Sequence, residues 1–206
     1  MKNYVVTIAR GFGSGGKEIG SKLAQRMGIP CYEDQILRMA SDFSGINEAL
    51  FQEANEKLNH SAYVLGYLKK VPFTSIATPN TREFTSDVNL FNIQSEIIKR
   101  LASSESCVII GKCADYVLRE YPNVISVYIE APRADCVKSI VNKMGVTEQE
   151  AHKLIEKTDK YRSDYYRYHT GKDWNDSRNY DFCLNTASMS YEKLVAVVKE
   201  YIAQNA

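Results

Sequence analysis

Apolar positions along this chain follow two rhythms. Unbroken runs, "YVVTIA" at 4–9, "CVIIG" at 107–111 and "NVISVYIEA" at 123–131, have the form of strands covered on both faces, as in a parallel sheet. The shorter "IPCY" (29–32) and "YDFCLNT" (180–186) predict two more strands. Between these runs apolar residues recur every three or four positions. Ile19, Leu23 and Met27 mark one face of a helix over 16–27 that Gly28 stops. Helical spacing returns in "EDQILRMASDF", in 46–58 with Leu50, Ala54 and Leu58 in register, and in "VNLFNIQSEIIKRLA", "ADYVLRE" and "RADCVKSIVNKM". A closing helix sets Tyr191, Leu194, Val195, Val198 and Ile202 on one side, with Ser190 as its N-cap. Residues 60 to about 90, with Pro72, Pro79 and the polar "TSIATPNTREFTSD", predict an irregular, mobile stretch. Strand alternating with helix predicts a doubly wound α/β sheet, and 206 residues suit a single domain with small inserted lobes.

Composition narrows the function. Lys and Arg number 26 against 25 Asp and Glu, a balance that argues against nucleic acid as a partner. Cys31, Cys107, Cys113, Cys136 and Cys183 lack close pairing and CxxC spacing, and they read as buried thiols of a reducing compartment. His60, His152 and His169 show no metal spacing, so no protein-held metal is expected. No signal-peptide core or membrane-length apolar run is present, and the expectation is a cytoplasmic protein without a membrane partner.

The candidate chemistry begins at "GFGSGGKEIG" (11–20), directly after the first strand. Gly11-x-x-x-x-Gly16-Lys17 between a strand and a helix is the pattern of a phosphate-binding loop. Glycines let successive backbone N–H groups turn toward one anion, and the helix N-terminus adds partial positive charge. Gly11, Gly13, Ser14, Gly15, Gly16, Lys17 and Glu18 are therefore candidate nucleotide-binding residues, with Lys17 reaching the outer phosphates. Glu18 stands where such loops usually carry a magnesium-binding hydroxyl; on the first helical turn it suits the helix dipole and is expected to point outward. Magnesium would then be held mainly by water and the phosphates.

"TIARGFGSGGKEIGSKLAQRMGIPCY", "IIGKCADYVLRE" and "DKYRSDYYRYHTGKDWNDSRNYDFCLNTAS", in that order, resemble the cytidylate kinase-like family. The resemblance runs from about residue 3 to the C-terminus and is weakest between 45 and 95. It implies a P-loop NTPase fold, a three-layer α/β/α sandwich whose five-stranded parallel sheet has the order 2-3-1-4-5. It also implies a core of 1–45, 95–150 and 178–206, an acceptor-binding lobe at about 46–94 and a lid at about 151–177. The activity implied is transfer of the ATP γ-phosphoryl, with Mg²⁺, to a nucleoside monophosphate, CMP or dCMP by closest analogy, so small-molecule nucleotides are the expected partners. Asn185 would lie near the adenine. One departure concerns the acceptor: cytidylate kinase carries Gly-Arg-Asp after its third strand, where this chain has Gly111-Lys112-Cys113. A lysine holds phosphate as a point charge and lacks the bidentate fork of arginine.

Helical geometry over 159–171 puts Lys160, Asp164 and Arg167 on one face, Arg162, Tyr166 and His169 on a second, and Tyr161, Tyr165 and Tyr168 on a third. Arg162 is the candidate for stabilising transition-state charge, with Lys160 and Arg167 in support; the competing reading is a solvated helix with ordinary ion pairs. Asp34 and Arg38, after the second strand, are candidates for the monophosphate site, though Asp34 equally suits a helix N-cap. Lys112 and Asp115 lie near the strand carboxyl edge where α/β ligands bind. Asp115 fits the acceptor phosphate, a magnesium-bound water or a surface ion pair. Trp174 is expected to anchor the segment returning from the lid.

Overall fold

The computed structural model describes residues 3–56 and 83–205. Five parallel strands form one sheet: β1 (Val5–Arg10), β2 (Cys31–Tyr32), β3 (Cys107–Ile110), β4 (Val124–Glu130) and β5 (Phe182–Asn185), in the order β2-β3-β1-β4-β5. The expected order is the one found. β1 lies at the centre, its Val5 paired with Cys107 on one side and Val124 on the other.

Alternation along the strands sends residues to two cores. Val6, Ile8, Val108, Ile110, Val127 and Ile129 face α1 (Gly16–Met27) and the closing helix. Val5, Ala9, Cys107, Ile109 and Tyr128 face the opposite layer. That layer holds α2 (Gln35–Ser44), α3 (Glu48–Glu56), α4 (Asp87–Ser104) and the single turn α5 (Ala114–Val117). Fully buried Ile19, Leu23, Ile98 and Ile129 each contribute about 1.5–3 kcal/mol through burial, which fixes the frame that carries the loop. A third cluster joins α6 (Arg133–Met144) to α7 (Glu148–Thr170) through Cys136, Val137, Ile140, Ala151 and Ile155. A short 3₁₀ turn (Ser177–Asn179) precedes β5, and α8 (Tyr191–Asn205) closes the chain with Ser190 Oγ accepting from the Lys193 amide.

Several expectations need correction. In α3 the buried side chain is Phe51, with Ala54 beside it one turn on, while Leu50 faces solvent. Leu58, His60, Pro72, Pro79 and most of the irregular stretch, and with them much of the acceptor lobe expected at 46–94, lie outside the described residues. "ADYVLRE" makes one helical turn instead of two, because Tyr121 folds back onto the Leu118 carbonyl and Pro122 follows at once. Cys183 is exposed, since β5 is an edge strand whose alternate residues face solvent. Helix α7 starts eleven residues before the segment singled out in the sequence, at a Thr147–Glu150 capping box. Among the described residues no helix is long and apolar enough to cross a membrane.

Candidate active site

β1 delivers the glycine loop to the carboxyl edge of the sheet, and four elements brace it there. The Gly11 amide donates to the Ile129 carbonyl at 3.0 Å, and the Phe12 amide to Asp159 Oδ1 at 2.7 Å. Ser14 Oγ, fully buried, donates between the Gly11 and Ile129 carbonyls at 2.8 and 3.1 Å, so this hydroxyl stiffens the loop from behind. Thr186 Oγ1 donates to the Ser14 carbonyl at 2.9 Å. Gly15 sits at φ +82° with the Tyr191 hydroxyl 2.1 Å from where a Cβ would stand. The first intrahelical bond of α1 runs from the Ile19 amide to the Gly15 carbonyl. The Gly16, Lys17 and Glu18 amides therefore precede the ladder and face the helix N-terminus, a cradle that fits an anion such as a nucleotide's phosphates.

Lys17 Nζ lies 2.5 Å from Glu33 Oε2, and Arg10 Nη2 donates to Glu33 Oε1 at 2.8 Å. One carboxylate thus faces both cations, and its hydrogen bond is the main cause raising the Lys17 pKa. Glu18 turns away from the loop to pair with Lys143 at the end of α6. Burial alone would raise its pKa, but Lys143 and a backbone amide outweigh that and hold it below the usual range. Its negative charge is therefore committed to Lys143, as the expected outward placement requires.

Beside the loop opens a cavity of about 460 Å³ lined by Arg10, Asp34, Lys112, Asp115, Tyr161 and Arg162, with Leu37, Tyr165 and Trp174 supplying apolar wall. The Arg10, Lys112 and Arg162 side chains are only 17, 13 and 19% exposed, which makes the cavity a place where cations are held with little water. Burial lowers the pKa of all three, Arg162 to about 10 with Arg10 nearby adding to the effect. Each faces a carboxylate: Glu33 for Arg10, Asp34 at 3.5 Å from Lys112, and Asp159 at 3.6 Å from Arg162. Lys112 is presented by a turn in which Gly111, Lys112 and Cys113 have φ of +72°, +59° and +54°. Two successive non-glycine residues there are uncommon, and such strain gathers at ligand sites.

Asp115 lies deeper, 8% exposed, and accepts from the Tyr166 hydroxyl at 2.6 Å. Burial pushes its carboxyl up from 3.8 to about 6, against the lowering effect of Tyr166 and two backbone amides. An acid whose pKa rises on folding binds its proton more tightly in the folded chain. Its contribution to stability is therefore complete below about pH 4 and is lost as the pH rises through 6. The difference in Tm between Asp115→Asn and the parent is expected to move in the variant's favour from pH 4 to pH 7, measured by thermal unfolding. His169, stacked on Phe91 with its pKa lowered to about 3 by burial, titrates equally in both proteins and cancels. A difference independent of pH would contradict the shift.

Lys17, Asp34, Lys112, Asp115 and Arg162 are thus brought together around the loop and cavity. Lys160 pairs with Asp164 at 2.7 Å and Arg167 with Asp173, both on the exposed side of α7 and off the cavity wall. Arg38, 75% exposed, points to Glu48 at 3.8 Å. Asp34 precedes α2 without a side-chain capping bond, its carboxylate turned to Lys112. Asn185, at the end of β5, accepts from the Ala187 amide. Trp174 packs edge-on to Tyr128 at 5.5 Å. Sequence reasoning missed Arg10, Glu33 and Asp159. The signal for Arg10 was available: a charge closing a buried strand stands at the edge where α/β sheets bind ligands.

Comparison with known proteins agrees with this fold. A sequence model of the cytidylate kinase-like family matches residues 5–188. An uncharacterized protein from Eubacterium ventriosum superposes with a TM-score of 0.71 at 24% identity, over 98% of this chain and 99% of that one. Shikimate kinase from Bacteroides thetaiotaomicron gives 0.54 at 10% identity, over 97% and 98%. A gluconokinase from Sinorhizobium meliloti gives 0.50 at 13%, over 98% and 92%. At such identities the fold is what is shared. A uronate isomerase of Corynebacterium glutamicum is 30% identical over 107 residues, which are 50% of this chain and 20% of that protein. The chain matches only about a fifth of that curated relative's length.

Proposed function

The chain belongs to the cytidylate kinase-like family, and from that premise we propose that it transfers the γ-phosphoryl group of magnesium-bound ATP to a nucleoside monophosphate, CMP or dCMP first. The observation that supports the proposal is the adjacency of two cationic places at one sheet edge: the loop with Lys17, and the cavity with Lys112 and Arg162. The loop amides and Lys17 hold the outer phosphates of the donor. Lys112 and Arg162 hold the acceptor phosphate, with Tyr161 and Tyr165 offering aromatic faces to its base. A phosphate acceptor is already anionic, so no residue need take a proton from it. Positioning and charge stabilisation in a water-poor cavity do the work. Bound magnesium would neutralise phosphate charge, and Asp34 on the cavity wall would be a carboxylate to hold it through water. Partners are small-molecule nucleotides, without nucleic acid or membrane.

A second reading, a kinase for another small molecule, is favoured by Lys112-Cys113 where cytidylate kinase has arginine and aspartate. ADP release from ATP and Mg²⁺ is the test, with CMP, dCMP, UMP, AMP, GMP or no acceptor. CMP or dCMP is expected to raise the rate at least tenfold over the acceptor-free control. A rate unmoved by any monophosphate, with ATP binding intact, would favour another acceptor or a nucleotide-binding module without turnover.

A further inference from the structure

Arg10 is held at the junction of loop and cavity by features that leave room for it and for nothing larger. A Cβ on Gly16 would stand 2.4 Å from Arg10 Cβ, and one on Gly111 would stand 2.3 Å from Arg10 Nη1. Two glycines from separate strand–helix turns thus clear a channel for one arginine. Gly111 also needs its left-handed φ of +72°, a conformation open to glycine at little cost. At the far end, Glu33 receives Arg10 Nη2 on one oxygen and Lys17 Nζ on the other. The loop lysine and Arg10 therefore lie within the width of a single anion, and Glu33 marks where a negative group is stable between them. Among the described residues the only side-chain hydrogen bond of Arg10 is that one, which leaves most of its five donors for a ligand. Arg162, the cation expected for this duty, has Nη1 on the Arg10 backbone carbonyl at 3.0 Å and lies near Asp159, so part of its fork braces the end of β1 while the side chain still lines the cavity on the acceptor side.

We propose that Arg10 is a catalytic cation of this site, its guanidinium binding the phosphoryl group in flight between the loop-bound donor and the acceptor. The proposal rests on the phosphoryl-transfer reading above. In the step itself the bond between the γ-phosphorus and the β,γ-bridging oxygen breaks, and ADP leaves with the electron pair. A bond forms between that phosphorus and an oxygen of the acceptor phosphate. Arg10 gives up no proton; it meets charge on the equatorial oxygens opposite Lys17. Because it stands on the central strand, this cation needs no closing movement to reach its place.

Arg10→Gln removes the charge, and Arg10→Lys keeps the charge without the fork. Each would be compared with the parent for turnover with CMP, and for calorimetric binding of Mg·ADP with and without aluminium fluoride, a planar mimic of the phosphoryl in transfer. The glutamine variant is expected to lose on the order of 10²–10³-fold in kcat. It should also lose the fluoride-dependent gain in affinity while binding ADP within threefold of the parent. The lysine variant should fall between the two, and it carries the test if Arg10→Gln does not fold. Fluoride-enhanced binding equal to the parent's in either folded variant would overturn the proposal. So would equal loss of ADP and ADP-fluoride binding, the result of a merely structural arginine, and so would a parent that gains no affinity from fluoride. If the parent shows Arg10-dependent fluoride binding yet turns over none of the monophosphates, the acceptor reading fails and the role of Arg10 stands.

Discussion

Lys17→Ala is expected to lower kcat on the order of 10²–10³-fold and to weaken ATP binding tenfold or more, because it removes the loop's own charge from the developing phosphate. The side chain reaches into the space before the loop, 63% exposed and, among the described residues, paired with Glu33, so its loss opens no cavity in either core. The fold should survive, with far-ultraviolet circular dichroism and Tm close to the parent's. Arg100→Ala is the matched control. Arg100 pairs with Glu96 on the exposed side of α4, and such a pair is worth about 0.3–0.5 kcal/mol without bearing on the nucleotide. Equal ATP affinity and equal turnover in Lys17→Ala and Arg100→Ala would mean that the loop is a tight turn and nothing more.

The second large effect is expected at Gly15→Ala, and it is structural first. The left-handed backbone there costs a side chain about 1–2 kcal/mol. The new Cβ would also meet the Tyr191 hydroxyl and its ring carbon at 2.1 and 2.5 Å, an overlap of the kind that costs about 1–3 kcal/mol. The variant should therefore lose about 2–5 kcal/mol in denaturant unfolding. Nucleotide binding should be lost as well, since the amides on either side turn with the loop. Adding Tyr191→Ala separates the two causes: it should return the overlap share and leave the backbone share. A Gly15→Ala protein within about 0.5 kcal/mol of the parent, the range of ordinary surface changes, would mean that α8 does not press on the loop as described.

The frame of this protein was readable from pattern alone. Five apolar runs gave five strands, and Gly28 ended α1 as its position suggested. What was misjudged depends on the third dimension. Leu50 and Phe51 are adjacent and both apolar, and only packing against α4 decides that Phe51 goes in. The start of α7 is marked in the chain by Thr147 and Glu150, but its first turns are polar apart from Ala151, Leu154 and Ile155, which weakens the helical period there. Within the site the glycine loop, Lys112, Asp115 and Arg162 were legible through motif and edge position. Lys160 and Arg167 share the helix with Arg162 but not its face: Arg162 lies inward with Tyr165 and Tyr166, while those two pair with surface aspartates. Arg10 and Glu33 were missed because their meeting joins the end of β1 to the bend after β2 through a contact of 2.8 Å that no spacing in the chain encodes.

Glu18 carries the remaining chemical question. Its carboxylate would repel phosphates if it faced them, yet Lys143 holds it on the flank of the loop. The anion cradle is thus left to amides and to Lys17. A kinase can work from such a loop if magnesium is held by water and phosphate oxygens, which the ion tolerates well.

The most direct measurement follows the phosphorus itself. ATP labelled on the γ-phosphate would be incubated with the protein, Mg²⁺ and CMP, and the products separated by chromatography. Label in the β-phosphate of CDP, absent with Lys17→Ala, is the predicted result. Label that stays in ATP, or appears only as inorganic phosphate at a rate indifferent to CMP, would contradict transfer to a nucleoside monophosphate.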